Sequence, residues 1–257
     1  MNGRFSGAIA LFEEDPDLLE GLEPARAAAA RARVVAPLAL LRPGPCGPWA
    51  RNGQSQSHIG LLVLDGLLTR NTSLVGRTTM ELVGARDIVR PWDEDGAGTS
   101  VPEEVTWTVH VPTRVALLDE HFVERLAPWP EITRTLISRS VDRQRRLSHH
   151  LAILENPRVD ARLLLLFWHL ADVWGTVGRS GVSIPLPLTH KTLGRLIRAQ
   201  RPSVTASLHV LAARGLLTRE SDGTWLLHGG ADRQLETLQE AGSAELPGRL
   251  PAPRPGA

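Results

Sequence analysis

The stretch LTHKTLGRLIRAQRPSVTASLHVLAARGLLTRESDGTWLL, residues 188–227, decides the fold of the C-terminal part of the chain. Thr189 is a preferred helix N-cap, and apolar residues recur after it at the spacing of an amphipathic helix. A polar turn at 198–200 separates this helix from a second one that starts with Arg201-Pro202, where a proline removes no helical hydrogen bond. Two helices joined by so short a turn predict a helix-turn-helix.

The residues on either side complete a DNA-binding plan. Gly215 is placed to end the second helix as its C′ glycine, and Asp222-Gly223 predicts a tight turn before a strand at 225–227. Residues 182–188 are strand-like, and their prolines fit the edge of a sheet. This order of elements predicts a winged helix-turn-helix.

In such a motif the second helix lies in the major groove, where its N-terminal residues meet base edges. Arg201 can donate two hydrogen bonds to guanine O6 and N7, a pairing worth about 1–3 kcal/mol of discrimination. The N-terminal amides of the first helix suit a phosphate. The predicted DNA contacts are Thr189, His190, Lys191, Arg201, Pro202, Ser203, Thr205, Ala206 and His209. The alternative is a helical hairpin buried for packing alone.

The charge of the chain is distributed unevenly. The formal net charge is +1, but residues 158–219 carry nine basic residues and only two acidic ones. A basic domain is the electrostatic footprint that a phosphate backbone requires. Double-stranded DNA is therefore the expected partner.

Upstream, residues 34–118 have the sequence pattern of a β domain. Short apolar runs are separated by Gly, Pro, Asn and Asp, which is typical of an antiparallel sandwich or roll. Asp65-Gly66 predicts a tight turn between two of these runs. Residues 15–33 predict a helix that precedes the strands.

Between these two regions, residues 119–154 predict a long helix with an apolar seam. The seam positions recur three and four residues apart, at Ile137, Ser140, Gln144, Leu147, Leu151 and Leu154. Because the opposite face is heavily charged, we expect this helix to pair with its copy in a homodimer. The alternative is a helix packed on its own domain.

These patterns predict an α+β protein in four segments. Residues 1–118 form an N-terminal helix and an antiparallel β-roll, and residues 119–156 form the dimerisation helix and a hinge at Asn156-Pro157. Residues 157–230 form the winged helix-turn-helix. The Gly- and Pro-rich residues 231–257 predict a disordered tail.

Residues 160–227 resemble the cyclic AMP receptor/fumarate-nitrate regulator (Crp/Fnr) family. The motifs that carry the resemblance are LPLTHKTLGRLI at 186–197 and RPSVTASLHVLAARGLL at 201–217, with Arg162 before them. The resemblance implies a cyclic-nucleotide-binding-like roll, a dimer helix, and Arg201 as the guanine-reading arginine. Ala206 stands where many members place a second base- or phosphate-contacting arginine, so the resemblance leaves the preferred operator open.

The roll lacks the family's phosphate cassette, Gly-Asp-x-x-Gly-Glu followed by Arg-Ser or Arg-Thr. The best match is residues 86–91, where both glycines and the glutamate are missing, and Val105-Thr106 replaces the later pair. A buried phosphate would then have no arginine partner, so cyclic AMP is not the expected effector.

A different small-molecule effector has four candidate residues: Arg90, Trp92, Trp107 and Ser148. Ser148 is included because its position touches the nucleobase in cyclic-nucleotide members of the family. The alternative is a surface arginine beside two core tryptophans.

Composition excludes several other classes of protein. The lone Cys46 excludes an internal disulfide framework and a multi-cysteine metal site within one chain, and isolated His58, His110 and His121 are weak haem ligands. No cofactor and no metal are therefore predicted. The longest apolar run, 163–168, is too short to span a membrane, and the N-terminus lacks the apolar length of a signal peptide. We expect a cytoplasmic protein.

The sequence thus predicts a homodimeric transcription regulator on a pseudo-palindromic operator, with RNA polymerase as a further candidate partner. The alternative is a ligand-independent architectural or protein-interacting DNA-binding factor. An enzyme would have to use Asp93-Glu94-Asp95 or His149-His150. Neither offers a nucleophile, a base and an orienting group together, so no enzymatic activity is expected.

Overall fold

The computed structural model describes residues 5–47, 58–94, 100–231 and 234. The chain divides into two compact units, Met1–Ser148 and His149–Ala257, and the division falls within a helix. In the ranges described, no helix has the length and apolar character needed to cross a membrane.

The first unit is built on one antiparallel sheet of seven strands. In chain order they are β1 (Phe5–Ala10), β2 (Val35–Leu41), β3 (Gly44–Cys46), β4 (Gly60–Leu74), β5 (Arg77–Gly84), β6 (Ile88–Val89) and β7 (Glu103–Leu118). The sheet order is β1-β2-β7-β4-β5, with β3 paired to β7 and β6 paired to β4. This is the predicted antiparallel roll.

Asp65-Gly66 is not a turn, so that prediction was wrong. Strand β4 runs through both residues and pairs with β7, and the register shifts there as in a β-bulge. Gly66 has φ +103°, and a Cβ at this position would lie 2.2 Å from Thr113 Oγ1. The bulge brings the two strands so close that only glycine fits.

Two hydrophobic clusters stabilise the sheet, one inside the roll and one under the helices. The inner cluster includes Leu68, Trp107 and Val109, all nearly inaccessible to solvent. The other cluster joins Leu11 and Phe12 to the helices that follow the roll. The apolar alternation of the strands accounts for both, because successive side chains point to opposite faces.

The helices of the first unit are shorter than the sequence pattern predicted. They are α1 (Leu11–Glu14), a 3-10 turn (Pro16–Leu19), α2 (Pro24–Arg33), α3 (Glu120–Leu126) and α4 (Pro130–Leu154). The predicted helix 15–33 is interrupted at Gly21, whose φ is +82°. The predicted helix 119–154 is interrupted before Pro130, because a proline disfavours helical geometry in the residue before it.

Helix α4 presents two different faces. Arg139, Arg143 and Arg146 are ion-paired to acids of the first unit: Asp15, Glu81 and Asp87. On the predicted seam, Ile137 and Leu151 are 60% and 59% exposed, whereas Leu147 and Leu154 are half-buried. Val141, which the seam did not include, is 48% exposed. The charged face thus holds the helix to its own unit and leaves an apolar stripe open.

The second unit consists of helices packed on a four-stranded sheet. Its elements are α5 (Val159–Trp174), β8 (Thr176–Gly178), β9 (Gly181–Ile184), α6 (His190–Leu196), α7 (Arg201–Ala213), β10 (Leu217–Arg219) and β11 (Trp225–Leu227). The sheet order is β10-β11-β9-β8. The predicted strand 182–188 ends at Ile184, and the β8–β9 hairpin was not foreseen.

Candidate nucleic-acid interface

The turn between α6 and α7 is closed by backbone contacts. Thr189 caps α6 as predicted, with its Oγ1 accepting a hydrogen bond from the backbone N of Thr192 at 3.1 Å. The amide of Ala199 donates to the carbonyl of Gly194 at 2.8 Å, and a Cβ on Gly194 would lie 2.6 Å from the Ala199 oxygen. Glycine within α6 therefore permits the tight approach of the two helices.

A side-chain hydrogen bond locks the first helix onto the second. The Thr205 hydroxyl donates to the Arg201 carbonyl at 3.1 Å, and His190 Nδ1 lies 2.9 Å from the same hydroxyl. Since the hydroxyl proton is used, His190 Nδ1 is the donor in the second bond. Burial lowers the pKa of His190, and nearby Arg219 and Arg201 lower it further. Thr205 and His190, both predicted as DNA contacts, are thus engaged within the motif.

The C-terminal end of α6 is satisfied by side chains from the two helices before it. His150 Nε2 lies 2.8 Å from the Leu196 carbonyl, and Arg162 donates to the Ile197 carbonyl at 2.7 Å. Cationic and N–H donors at a helix C-terminus satisfy carbonyls that have no helical partner. Arg162, which carried part of the family resemblance, therefore has a structural role here.

Helix α7 buries one face and exposes the other. Val204, Leu208 and Leu211 are buried, as the apolar spacing predicted. The other predicted DNA contacts on α7 are all exposed: Arg201, Pro202, Ser203, Ala206 and His209. On α6, Thr189 and Lys191 are exposed too. The motif thus brings these seven residues together on the surface of one unit.

The β10–β11 hairpin has a short, internally bonded tip. The Arg219 guanidinium lies over the Trp225 ring, 5.1 Å from its centroid, and the Trp225 ring packs 4.8 Å from that of Phe167. Gly223 has φ +91°, as a tight turn requires. The tip also carries the carboxylates of Glu220 and Asp222, which would repel phosphate. The helices, rather than the tip of the wing, therefore carry the positive surface.

The residues considered for an effector lie in different surroundings. Trp107 is 4% exposed in the inner cluster, and Trp92 packs against the same cluster edge-on to His58, with ring centroids 6.1 Å apart. Arg90 is exposed at the end of β6. Ser148 is exposed on α4 and donates to the Gln144 carbonyl at 3.3 Å. The two tryptophans thus pack in the same hydrophobic cluster. Among the described residues, Ser148 makes no contact with either of them.

Asp87, the acidic residue in the segment that best matches the family's cassette, is bonded within the protein. Asp87 is 3% exposed, accepts a hydrogen bond from the Gly84 amide at 2.9 Å, and pairs with Arg146. Burial raises the pKa of the Asp87 carboxyl, and Arg146 opposes this shift. Nearby, Arg143 pairs with Glu81 at 2.6 Å. These bonds were not foreseen, because the partners are far apart in sequence.

The histidines considered for an enzyme, His149 and His150, lie beside a third histidine. His149 is exposed, while the rings of His149 and His150 lie 6.4 Å and 6.2 Å from that of His169. No group of three potential metal ligands is close enough to hold an ion in the part of the chain described. Asp93-Glu94 ends a 3-10 turn, and Asp95 lies outside the described residues.

Comparison with known proteins identifies the second unit. Residues 158–228 match the family model of the Crp-like helix-turn-helix domain. None of the curated proteins compared with the chain matches it.

Solved structures share the fold over most of the chain at low identity. A cyclic nucleotide-binding domain containing protein from Listeria monocytogenes is 15% identical, covers 85% of this chain and 97% of its own, and gives a TM-score of 0.62. A CooA mutant from Carboxydothermus hydrogenoformans is 15% identical over 88% and 94% of the two chains, with a TM-score of 0.59. A CRP-family transcriptional regulator from Thermus thermophilus is 18% identical over 78% and 94%, with a TM-score of 0.51. The predicted α+β fold and the resemblance are confirmed.

Proposed function

Because residues 158–228 are a Crp-like helix-turn-helix domain within a chain of the Crp/Fnr fold, we propose that the protein is a sequence-specific transcription regulator. It binds DNA as a homodimer on a pseudo-palindromic operator. Two-fold symmetry then places the half-sites about one helical turn, roughly 34 Å, apart. We assign it no catalytic activity.

The observation that carries this proposal is the division of α7 into two faces. Its buried face fixes the helix to the second unit, while Arg201, Ser203 and His209 stay exposed toward solvent. A guanidinium at the first turn of a helix that enters the major groove can bind guanine O6 and N7 together. Lys191, exposed at the first turn of α6, is suited to a phosphate.

The apolar stripe of α4 supports the dimer. Ile137, Val141 and Leu151 are between 48% and 60% exposed, although they lie on one side of a 25-residue helix. The face opposite is already bonded to the roll through Arg139, Arg143 and Arg146, so the stripe is the face left for a second copy. Burying it between two chains removes apolar surface from water.

The effector of this regulator is not cyclic AMP in our proposal. A cyclic phosphate needs an unoccupied arginine, and at the cassette the charged groups of Asp87 and Arg146 neutralise each other. The same observation favours a second candidate function, a ligand-independent architectural or protein-interacting DNA-binding factor whose roll is a protein surface. RNA polymerase is the partner that the first candidate would contact through such a surface.

Selection from random double-stranded DNA distinguishes the two candidates. The full-length protein is incubated with a randomised library, and the bound fraction is sequenced after several rounds. A regulator enriches a two-fold symmetric sequence that contains one guanine at equivalent positions of both half-sites. An architectural factor binds the library but enriches no palindrome, whereas absence of binding would contradict both candidates.

A further inference from the structure

One row of exposed residues along α7 is apolar. Pro202, Ala206 and Val210 follow one another at four-residue spacing and are all exposed, Val210 by 41%. Arg201 is the one fully charged side chain in the helix. An apolar face that stays open to solvent beside an arginine is typical of a surface that contacts a partner.

The Thr205 hydroxyl, in the second turn of α7, is not free to bind a base. Thr205 Oγ1 already donates to the Arg201 carbonyl and accepts from His190, at 3.1 Å and 2.9 Å. Its neighbour Ala206 presents a methyl group alone. At position 206 itself, the side chain can therefore offer a base only an apolar contact.

The matching apolar group of the major groove is the C5 methyl of thymine, which alanine side chains contact. Ala206 follows Arg201 by five residues, so a rise of about 1.5 Å per residue places it about 7.5 Å further along the helix. Base pairs succeed one another every 3.4 Å, roughly. With the axis of α7 aligned along the DNA, Ala206 lies about two base-pair steps from the base that Arg201 contacts.

We propose that Ala206 is a specificity-determining residue that contacts the C5 methyl of a thymine, about two base pairs from the guanine bound by Arg201. The assignment rests on the proposed function, because it requires α7 in a major groove. The assignment identifies a second base of the operator. Neither the charge of the domain nor the position of Arg201 specifies that base.

Deoxyuridine tests the contact, since it differs from thymidine only by the missing methyl. In the selected operator, each thymine is replaced in turn, symmetrically in both half-sites, and binding of the full-length protein is followed by fluorescence anisotropy. One position is expected to weaken binding about fourfold per half-site, which corresponds to about 0.8 kcal/mol for one buried carbon. The other thymines should change the dissociation constant less than twofold, roughly.

Ala206→Gly removes the methyl of the protein, so deoxyuridine at that position should have no further effect. Ala212→Gly makes the same change at another exposed position of α7, and it should keep the full deoxyuridine effect. Glycine weakens a helix, so thermal unfolding of both variants is measured as well. For each variant, the dissociation constant on the deoxyuridine operator is divided by that on the thymidine operator. This ratio does not depend on the fraction of the protein that is active.

Three results would overturn the assignment: no thymine near the selected guanine, no deoxyuridine effect at any thymine, or an effect that persists in Ala206→Gly. In each case, sequence-selective binding would still support the proposed function. A selection that enriches no common sequence would instead contradict that function itself. The deoxyuridine profile of the natural protein tests the contact even if the glycine variant does not fold.

Discussion

Asp87 and Arg146 form an ion pair between the residue that precedes β6 in the roll and the long helix α4. Asp87 is almost completely buried, and its second oxygen accepts a hydrogen bond from the Gly84 amide. The two residues are 59 positions apart in the chain. Their contact joins a carboxylate in the segment that best matches the family's phosphate cassette to a guanidinium of the long helix.

Arg146→Met should lower the free energy of unfolding by about 3 kcal/mol, because it leaves the buried Asp87 carboxylate without its cation. Urea denaturation followed by tryptophan fluorescence measures the change. Arg145→Met is the matched control, since Arg145 is 67% exposed and pairs only at the surface with Asp142. A loss of similar size in both variants would contradict the role of the pair. Adding Asp87→Asn to Arg146→Met should restore much of the stability.

Ile137→Asp combined with Leu151→Asp should convert the dimer into monomers with greatly weakened operator binding. Both side chains are exposed in one chain, so the change acts on association and leaves the fold intact. Sedimentation velocity measures the oligomeric state. Ser138→Asp combined with Ala152→Asp adds the same two charges about 100° around the helix and should leave the dimer intact. A stripe double mutant that still sediments as a dimer would refute the stripe as the interface.

Arg201→Ala should weaken operator binding by about 1–3 kcal/mol per half-site and relax the preference at one symmetric guanine. Repeating the selection with the variant measures both effects. Arg214→Ala removes an exposed arginine just beyond the other end of α7 and should leave the selected sequence unchanged. Uniform weakening on all sequences by Arg201→Ala would mean that α7 is not docked in the groove as proposed.

Lys191→Ala should weaken binding to all sequences about equally, because a phosphate contact carries no base information. The slope of log K against log salt concentration should become shallower by about one unit for each phosphate that the variant no longer neutralises. Titrations at several salt concentrations give this slope. If the slope is unchanged while the sequence preference relaxes, Lys191 contacts a base instead.

Cyclic AMP and cyclic GMP at millimolar concentration should change neither the melting temperature nor the affinity for the operator. A specific ligand at a hundred times its dissociation constant would stabilise the protein by about 2.7 kcal/mol, which thermal unfolding detects easily. A shift with Asp87→Asn, which frees Arg146, but not with the natural protein would mean that the ion pair itself excludes the phosphate. A shift with the natural protein would show that another cation, such as Arg90, serves the phosphate.

His150 makes the stability of the second unit depend on pH. Burial lowers the pKa of its imidazole below the ordinary value, so the folded state holds the neutral form. This contribution is present above the unfolded pKa of about 6.5 and is lost as pH falls through the lower folded value. His150→Gln keeps a donor for the Leu196 carbonyl without titrating. It should flatten the pH dependence of unfolding below about pH 6.5, whereas His149→Gln at the exposed neighbour should not.

The helix-turn-helix could be predicted from the sequence because its signals are local. The cap at Thr189, the proline at 202 and the glycine at 215 each act on the backbone beside them. Helix α6 begins at the first, and helix α7 begins and ends near the other two. Gly194 was missed, although an isolated glycine inside a short helix is itself a signal of close packing.

What failed depended on partners distant in sequence. Asp65-Gly66 has the composition of a tight turn, but its pairing with β7, nearly fifty residues later, makes it a bulge within a long strand. The sequence pattern placed the arginines of α4 on the face opposite the seam. It did not identify their acidic partners, which lie up to 124 residues away. Residues 235–257 of the predicted tail lie outside the described residues, while Gln234 is buried and bonded to Trp168 at 2.9 Å.

The bond between His190 and Thr205 has a consequence for how this protein can change over evolutionary time. The residues that hold the two helices together, with Gly194 at the turn, are different from the exposed Pro202 and Ala206 beside them. If α7 docks as proposed, substitutions at 202 and 206 can alter the preferred DNA sequence without disturbing the framework that presents them. The proposed function thus allows target specificity to change through one or two mutations while the protein keeps its fold.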